Sequence, residues 1–143
     1  MVLNPGNNKK TINRILDVLE IQIRNGVAEG INAYTEVLLW EAQEKTPIDT
    51  GLLRSENNQQ RAIDYGKDIK GSVYNKVNYA ADQHENLAYN HPKGGQAKFF
   101  SEPGYRRKKD LINFVKNSVN SAVKTPKNFL ASRIWHKKTF VLI

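Results

Sequence analysis

The feature that most limits the fold is an apolar stripe that begins near the N-terminus. Ile12, Ile15, Leu16, Leu19, Ile23, Val27, Ile31, Tyr34 and Leu38 recur at steps of three or four with one adjacent pair. That spacing marks one face of an α-helix. It predicts a helix from about Thr11 to Glu44, on the order of 50 Å long at 1.5 Å per residue. Gly26 and Gly30 lie inside it, each costing about 1 kcal/mol against alanine, and the expectation is a kink or break there. Pro47 ends the pattern, because the residue before a proline disfavours helix.

Beyond that helix the period changes. Thr46-Pro47-Ile48-Asp49-Thr50-Gly51 is rich in turn formers. Leu52 to Asn57, Arg61 to Tyr65, Ile69 to Tyr74 and Val77 to Glu85 then read as short strands or strand-plus-turn pieces, enough for a small antiparallel sheet. Asn86 to Gln96, with Asn90-His91-Pro92 and Gly94-Gly95, reads as a long loop. Helical period returns after Pro103, which suits a first-turn position. Leu111, Phe114, Val115, Ser118, Val119 and Ala122 form a second stripe, and Thr125-Pro126 ends it near Lys124.

The expected architecture is therefore α+β. A long N-terminal helix and a C-terminal helix pack on a small antiparallel β-sheet, with extended terminal arms. Residues 1–10 form a flexible or partner-ordered arm, residues 11–124 one α+β domain, and residues 125–143 a C-terminal extension. In that extension Phe129, Leu130, Ile134, Trp135, Phe140, Val141, Leu142 and Ile143 stand among lysines, and Thr139 to Ile143 suits a strand. Such a segment docks either on its own core or on another subunit.

Length and composition close off several classes. A chain of 143 residues is about one domain, too short for a large multidomain enzyme. With no cysteine there is no disulfide scaffold, thiol nucleophile or cysteine zinc site. No apolar run approaches the ~18 residues of a membrane span, and the first residues carry no signal-peptide core. The expectation is a soluble protein made in a cytoplasm, with no membrane partner.

Charge is uneven. The chain holds 22 Lys+Arg and 14 Asp+Glu, a net of +8. Residues 1–90 carry 10 basic and 12 acidic groups, net −2, whereas residues 91–143 carry 12 and 2, net +10. The basic third faces either solvent, an acidic protein or a polyanion. Arg106-Arg107-Lys108-Lys109 near the start of the last helix opposes its macrodipole, by about 0.3–1 kcal/mol for each exposed cation. An anionic partner would account for them, as would a solvated patch on a well-packed helix.

No catalytic constellation stands out. The three histidines are His84, His91 and His136. His84-Glu85 and His91 miss the His-Glu-x-x-His spacing that places two imidazoles on one helix face. Gly94-Gly95 lacks the lysine and hydroxyl of a phosphate loop, and no serine stands in a Gly-x-Ser-x-Gly elbow. The expectation is no enzyme, no cofactor and no metal. A basic nucleic-acid-binding protein is the alternative, using Arg106 to Lys109, Lys116, Lys124, Lys127 and Lys137-Lys138 on phosphates. A small nuclease using His84 or His91 as acid or base is the weaker one.

Three segments, in order, carry a resemblance. They are Glu44-Lys45-Thr46-Pro47-Ile48-Asp49-Thr50-Gly51-Leu52-Leu53-Arg54-Ser55, then Val73-Tyr74-Asn75-Lys76-Val77-Asn78-Tyr79-Ala80 running into His84-Glu85, then Gly95-Gln96-Ala97-Lys98-Phe99-Phe100-Ser101-Glu102-Pro103. Together they resemble the neck, or tail-completion, proteins of tailed bacteriophages over roughly residues 30–120. In that family a helix enters a TPVDTGxLR-like turn, a strand ends in a YAxxxHE segment, and GQAKFLE leads into the last helix. This chain departs from it by one extra or substituted residue before Glu102, and residues 125–143 have no counterpart.

The resemblance implies a structural virion protein of the neck or tail, made in the host bacterial cytoplasm. It would form an oligomeric ring at the head–tail junction and take part in tail completion and DNA passage. Its partners would be copies of itself, adjacent neck, portal-side or tail proteins, and transiently the genomic DNA in the lumen. Tyr79, His84, Glu85 and the loop from His91 would face a neighbouring subunit, and Lys98 and Phe99 would anchor the last helix. Arg106, Arg107, Trp135, Phe140 and Val141 complete the expected interface.

Overall fold

The structure, a computed structural model, describes residues 5–123. It is α+β, with a long N-terminal helix, a C-terminal helix and a two-stranded antiparallel sheet. Helix α1 spans Pro5–Lys45, starting six residues earlier than the stripe predicts and taking residues 5–10 out of the expected arm. It runs through Gly26 and Gly30 without a break. The glycines serve a different purpose from a kink. The last helix, α5 (residues 108–123), crosses them so closely that a Cβ on Gly30 would stand 2.4 Å from Val115 Cα, and one on Gly26 2.7 Å from Val119 Cα.

Two expected strands are short helices instead. Residues 52–57 begin with α2 (Leu52–Ser55), entered from Gly51 in the left-handed region at φ 87°. Residues 77–85 end in α3 (Ala80–Glu85). The physical reason is shared: Leu53 and Ala80 each bury a single side chain in one cluster around Phe99, which a short helical turn delivers. The other two expectations hold as strands β1 (Asn57–Asp64) and β2 (Ile69–Asn75), paired antiparallel around a turn at Gly66. Helix α4 (Ser101–Arg106) carries Pro103 in its first turn, fully buried.

The hairpin docks on the middle of α1 through polar groups that the stripe does not advertise. The strand register slips between Gln60 and Ile63, which leaves the Ala62 N–H without a strand partner. It donates instead to Asn32 Oδ1 of α1 at 2.7 Å. Gln59 Nε2 donates to the Asn32 carbonyl at 2.8 Å and to Thr35 Oγ1 at 2.5 Å. Asn32 and Thr35 are both buried, and a buried polar group is tolerated only when bonded in this way. At the hairpin tip Arg24 forks onto Asp64, Nε to Oδ2 at 2.6 Å and Nη2 to Oδ1 at 2.5 Å. Tyr34 meets Phe114 of α5 edge-on, with ring centres 6.1 Å apart.

Candidate functional site

The three segments that carry the resemblance are far apart in sequence and adjacent in space. Their centre is Phe99, wholly buried, packed with Leu53 of the first segment and Ala80 of the second. Val77 and Phe100 lie against this cluster.

The first segment closes the end of α1. Thr46 is fully buried; its Oγ1 donates to the Ala42 carbonyl at 2.6 Å and accepts from Asn57 Nδ2 at 2.6 Å. Asn57 Oδ1 in turn accepts from Asn75 Nδ2 at 2.7 Å, and Asn75 Oδ1 accepts the Val77 N–H at 2.8 Å. This polar chain ties the helix end to both strands and to the second segment. Arg54 Nη2 donates to the Glu44 and Thr46 carbonyls, each at 3.0 Å. It satisfies acceptors that a helix C-terminus leaves open.

The third segment lies directly on the first. The Gln96 N–H donates to the Lys45 carbonyl at 2.8 Å, and the Ile48 N–H to that of Gly94 at 3.3 Å. A side chain at Gly95 would put its Cβ 2.4 Å from Pro47 Cα, and the residue sits at φ 94°. Only glycine meets both demands. Lys98 also holds a left-handed backbone, φ 57°. Its N–H bonds the His84 carbonyl at 2.7 Å.

His84 joins the second and third segments. Its ring stands nearly perpendicular to Phe99, centres 5.0 Å apart, and 6.0 Å from Phe100. The Ser101 N–H donates to Nε2 at 3.3 Å. With Nε2 accepting, Nδ1 carries the proton and presents it to Glu85 at 2.6 Å. Lys98 Nζ pairs with the other Glu85 oxygen. Lys98 first, and His84 second, hold the Glu85 carboxyl below the usual carboxylate range. Lys45 does the same for Glu102, with Arg106 adding to it.

The predicted interface residues thus divide. His84 is a packed joint, its side chain 15% exposed, and Glu85 is exposed beside it. Tyr79 and His91 share a hollow of about 290 Å³ with Pro47, Asp49, Leu53 and Gln83. Tyr79 is 40% exposed, and His91 Nε2 is buried there with no hydrogen-bond partner. Arg106 and Arg107 converge on the buried Glu41 of α1, Arg106 at 2.6 Å. Arg107 also pairs with Asp110 at 3.1 Å. Arg106 closes α4, where a cation suits the helix dipole. Only Lys108 and Lys109 of the run open α5, and both are exposed. Trp135, Phe140 and Val141 lie outside the described residues, as does the expected strand at Thr139 to Ile143.

Glu41 and the Thr46–Asn57–Asn75 chain are what sequence reading missed. Glu41 gave one signal: it follows Leu38 by three, and so falls near the apolar face. Among the described residues no group of three His, Asp or Glu side chains is placed to hold a metal ion. Among them no helix is long and apolar enough to cross a membrane. The chain matches no protein-family model, no curated protein and no solved structure.

Proposed function

We propose that the chain is a structural subunit of a tailed-phage head–tail junction, assembling with copies of itself into a ring that seats neck, portal-side or tail proteins. The observation that carries this reading is the imbalance between core and surface. Among the described residues six hydrophobic side chains are buried, while nine large ones beyond the first half of α1 are exposed, including Trp40, Leu87, Tyr105 and Ile112. Exposed apolar side chains in such number mark association surfaces. The three resembling segments support it in a second way: they form one interlocked hub, held by backbone bonds and ion pairs. A rigid hub of this kind presents Tyr79, Glu85 and the loop from His91 in fixed positions to a neighbour. Ring interfaces are heterologous, one face meeting a different face of the next copy. The unlike charge of residues 1–90 and 91–143, −2 against +10, suits such a pairing.

The basic third is partly neutralised within the subunit, since Arg106 and Arg107 are engaged by Glu41, Glu102 and Asp110. This favours a protein partner over a phosphate-gripping role. The test is location: antibodies against the chain should label the head–tail junction of virions of the phage that encodes it. Negative-stain images of the chain with its neck partners should show rings. Virions that lack the chain, or a salt-sensitive DNA complex formed by a lone subunit, would overturn the reading.

A further inference from the structure

The seam that α5 occupies on α1 extends well past the described end of α5. Ile12, Leu16, Leu19, Ile23, Gly26 and Gly30 follow alternating steps of four and three, so they share one face of α1. α5 covers Gly26 and Gly30. Most of the rest of that face is exposed: Ile12, Leu16 and, beside them, Ile15 are 55%, 56% and 57% exposed, Ile23 is 39% exposed, and Leu19 is half-buried. Nothing in the assembled hub reaches them.

We propose that residues 124–143 of the same chain cover this face. Three observations on the page converge. First, α5 runs antiparallel to α1: Val115 lies at Gly30, and Val119 and Ala122 lie at Gly26. Each step of four toward the start of α1 therefore meets a step of four toward the end of α5. The chain leaves α5 pointing along the bare seam. Second, the reach is right. From the level of Val123 to that of Ile12 is roughly 15 Å along α1, which eleven residues span even at a helical rise of 1.5 Å each. Third, the sequence that follows supplies apolar groups at that pace. Counted from Val123 at that same rise per residue, Phe129 falls level with Leu16, Leu130 level with Ile15, and Ile134 within a residue of Ile12. The seam residues also change from glycine to leucine and isoleucine there. The covering chain must stand further off than α5 does, and Thr125-Pro126 supplies a change of direction at that point. This inference stands apart from the assembly reading: a ring subunit or a monomer could be closed in this way.

The chain contains no cysteine, so introduced pairs report cleanly. In the full-length chain, Leu16→Cys combined with Phe129→Cys should oxidise to an intrachain disulfide at monomer mass. Ile21→Cys with Phe129→Cys, aimed from outside the seam, should link roughly tenfold less, since thiols held together react at a high effective concentration. Equal linking by the two pairs overturns the proposal. So does a mixture of Leu16→Cys chains and Phe129→Cys chains that links between molecules in preference, which places the segment on a neighbouring copy. Hydrogen exchange on the cysteine-free chain guards against misfolded variants. Amides of residues 12–23 should exchange roughly tenfold faster in a Phe129→Asp, Leu130→Asp variant, with those of residues 31–42 unchanged. No change in residues 12–23 overturns the proposal.

Discussion

The two halves of α1 carry the same apolar periodicity and meet different surroundings. From Arg24 to Lys45 the helix is gripped on several sides. The hairpin bonds Asn32 and Thr35, α5 closes on Gly26 and Gly30, and α4 sends Arg106 to Glu41. From Asn7 to Ile23, roughly 25 Å of helix at 1.5 Å per residue, every residue is exposed except the half-buried Leu19 and Gln22. The gripped half holds its partners by small and polar residues together with the buried Tyr34 and Leu38, whereas the bare half displays Ile12, Ile15, Leu16 and Ile21. Apolar content alone therefore does not locate the core of this molecule. What locates it is where glycines permit approach and where polar side chains find partners.

The sharpest way to break the comparison is at the hub that anchors the gripped half. Phe99→Ala removes a fully buried ring from between Leu53, Ala80 and His84. It should cost about 3–5 kcal/mol, read as a fall in denaturant midpoint at unchanged slope. A loss below about 1 kcal/mol would mean that the three segments do not depend on one another. Gly30→Ala comes next. Its methyl would collide with the backbone of α5 at Val115, and α5 must shift, at a cost of about 1–3 kcal/mol. On an exposed helix the same change would stabilise by nearly 1 kcal/mol, so even the sign is informative. Ile21→Ala, in the bare half and off the seam, should stay within about 0.5 kcal/mol of the parent chain.

Sequence reading reached the elements with a strong period and failed where tertiary contact decided. The α1 stripe, the hairpin residues 61–65 and 69–74, the position of Pro103 and the helix beyond it all follow from local pattern. Leu52 to Asn57 and Val77 to Glu85 did not, because alternation over so few residues suits a strand and a single helical turn alike. Leu53 and Ala80 each bury one side chain against Phe99, a contact between segments that no window contains. Gly26 and Gly30 were legible as exceptions within a helix, but propensity reads them as weakness. Only the placement of α5 shows them as contact points. The partners of Arg106 and Arg107 were hidden for a related reason. A basic run in sequence says nothing of a buried Glu41 some 65 residues earlier.

The smallest expected effect lies at the boundary between the two halves, where Arg24 clamps the hairpin tip. Its guanidinium, with help from the Gly66 N–H, holds the Asp64 carboxyl down to about 2 from an ordinary 3.8. The folded value is below the unfolded one, so the clamp's contribution is complete above about pH 4. It is lost as the pH falls through about 2. A carboxyl-detected NMR titration should find Asp64 midway near pH 2, and Arg24→Gln should return it toward 3.8. The loss should loosen the hairpin tip, raising exchange at Tyr65 and Gly66, and leave the Phe99 hub intact. The hub has its own ion pairs in Lys98–Glu85 and Lys45–Glu102. Both carboxyls sit below their ordinary range, so they stay charged, and the hub holds, through the lower pH range in which an unpaired glutamate would already be protonated. An Asp64 that titrates at its ordinary value in the unaltered chain would mean that Arg24 does not hold the hairpin. The boundary between gripped and bare helix would then move inward to Asn32.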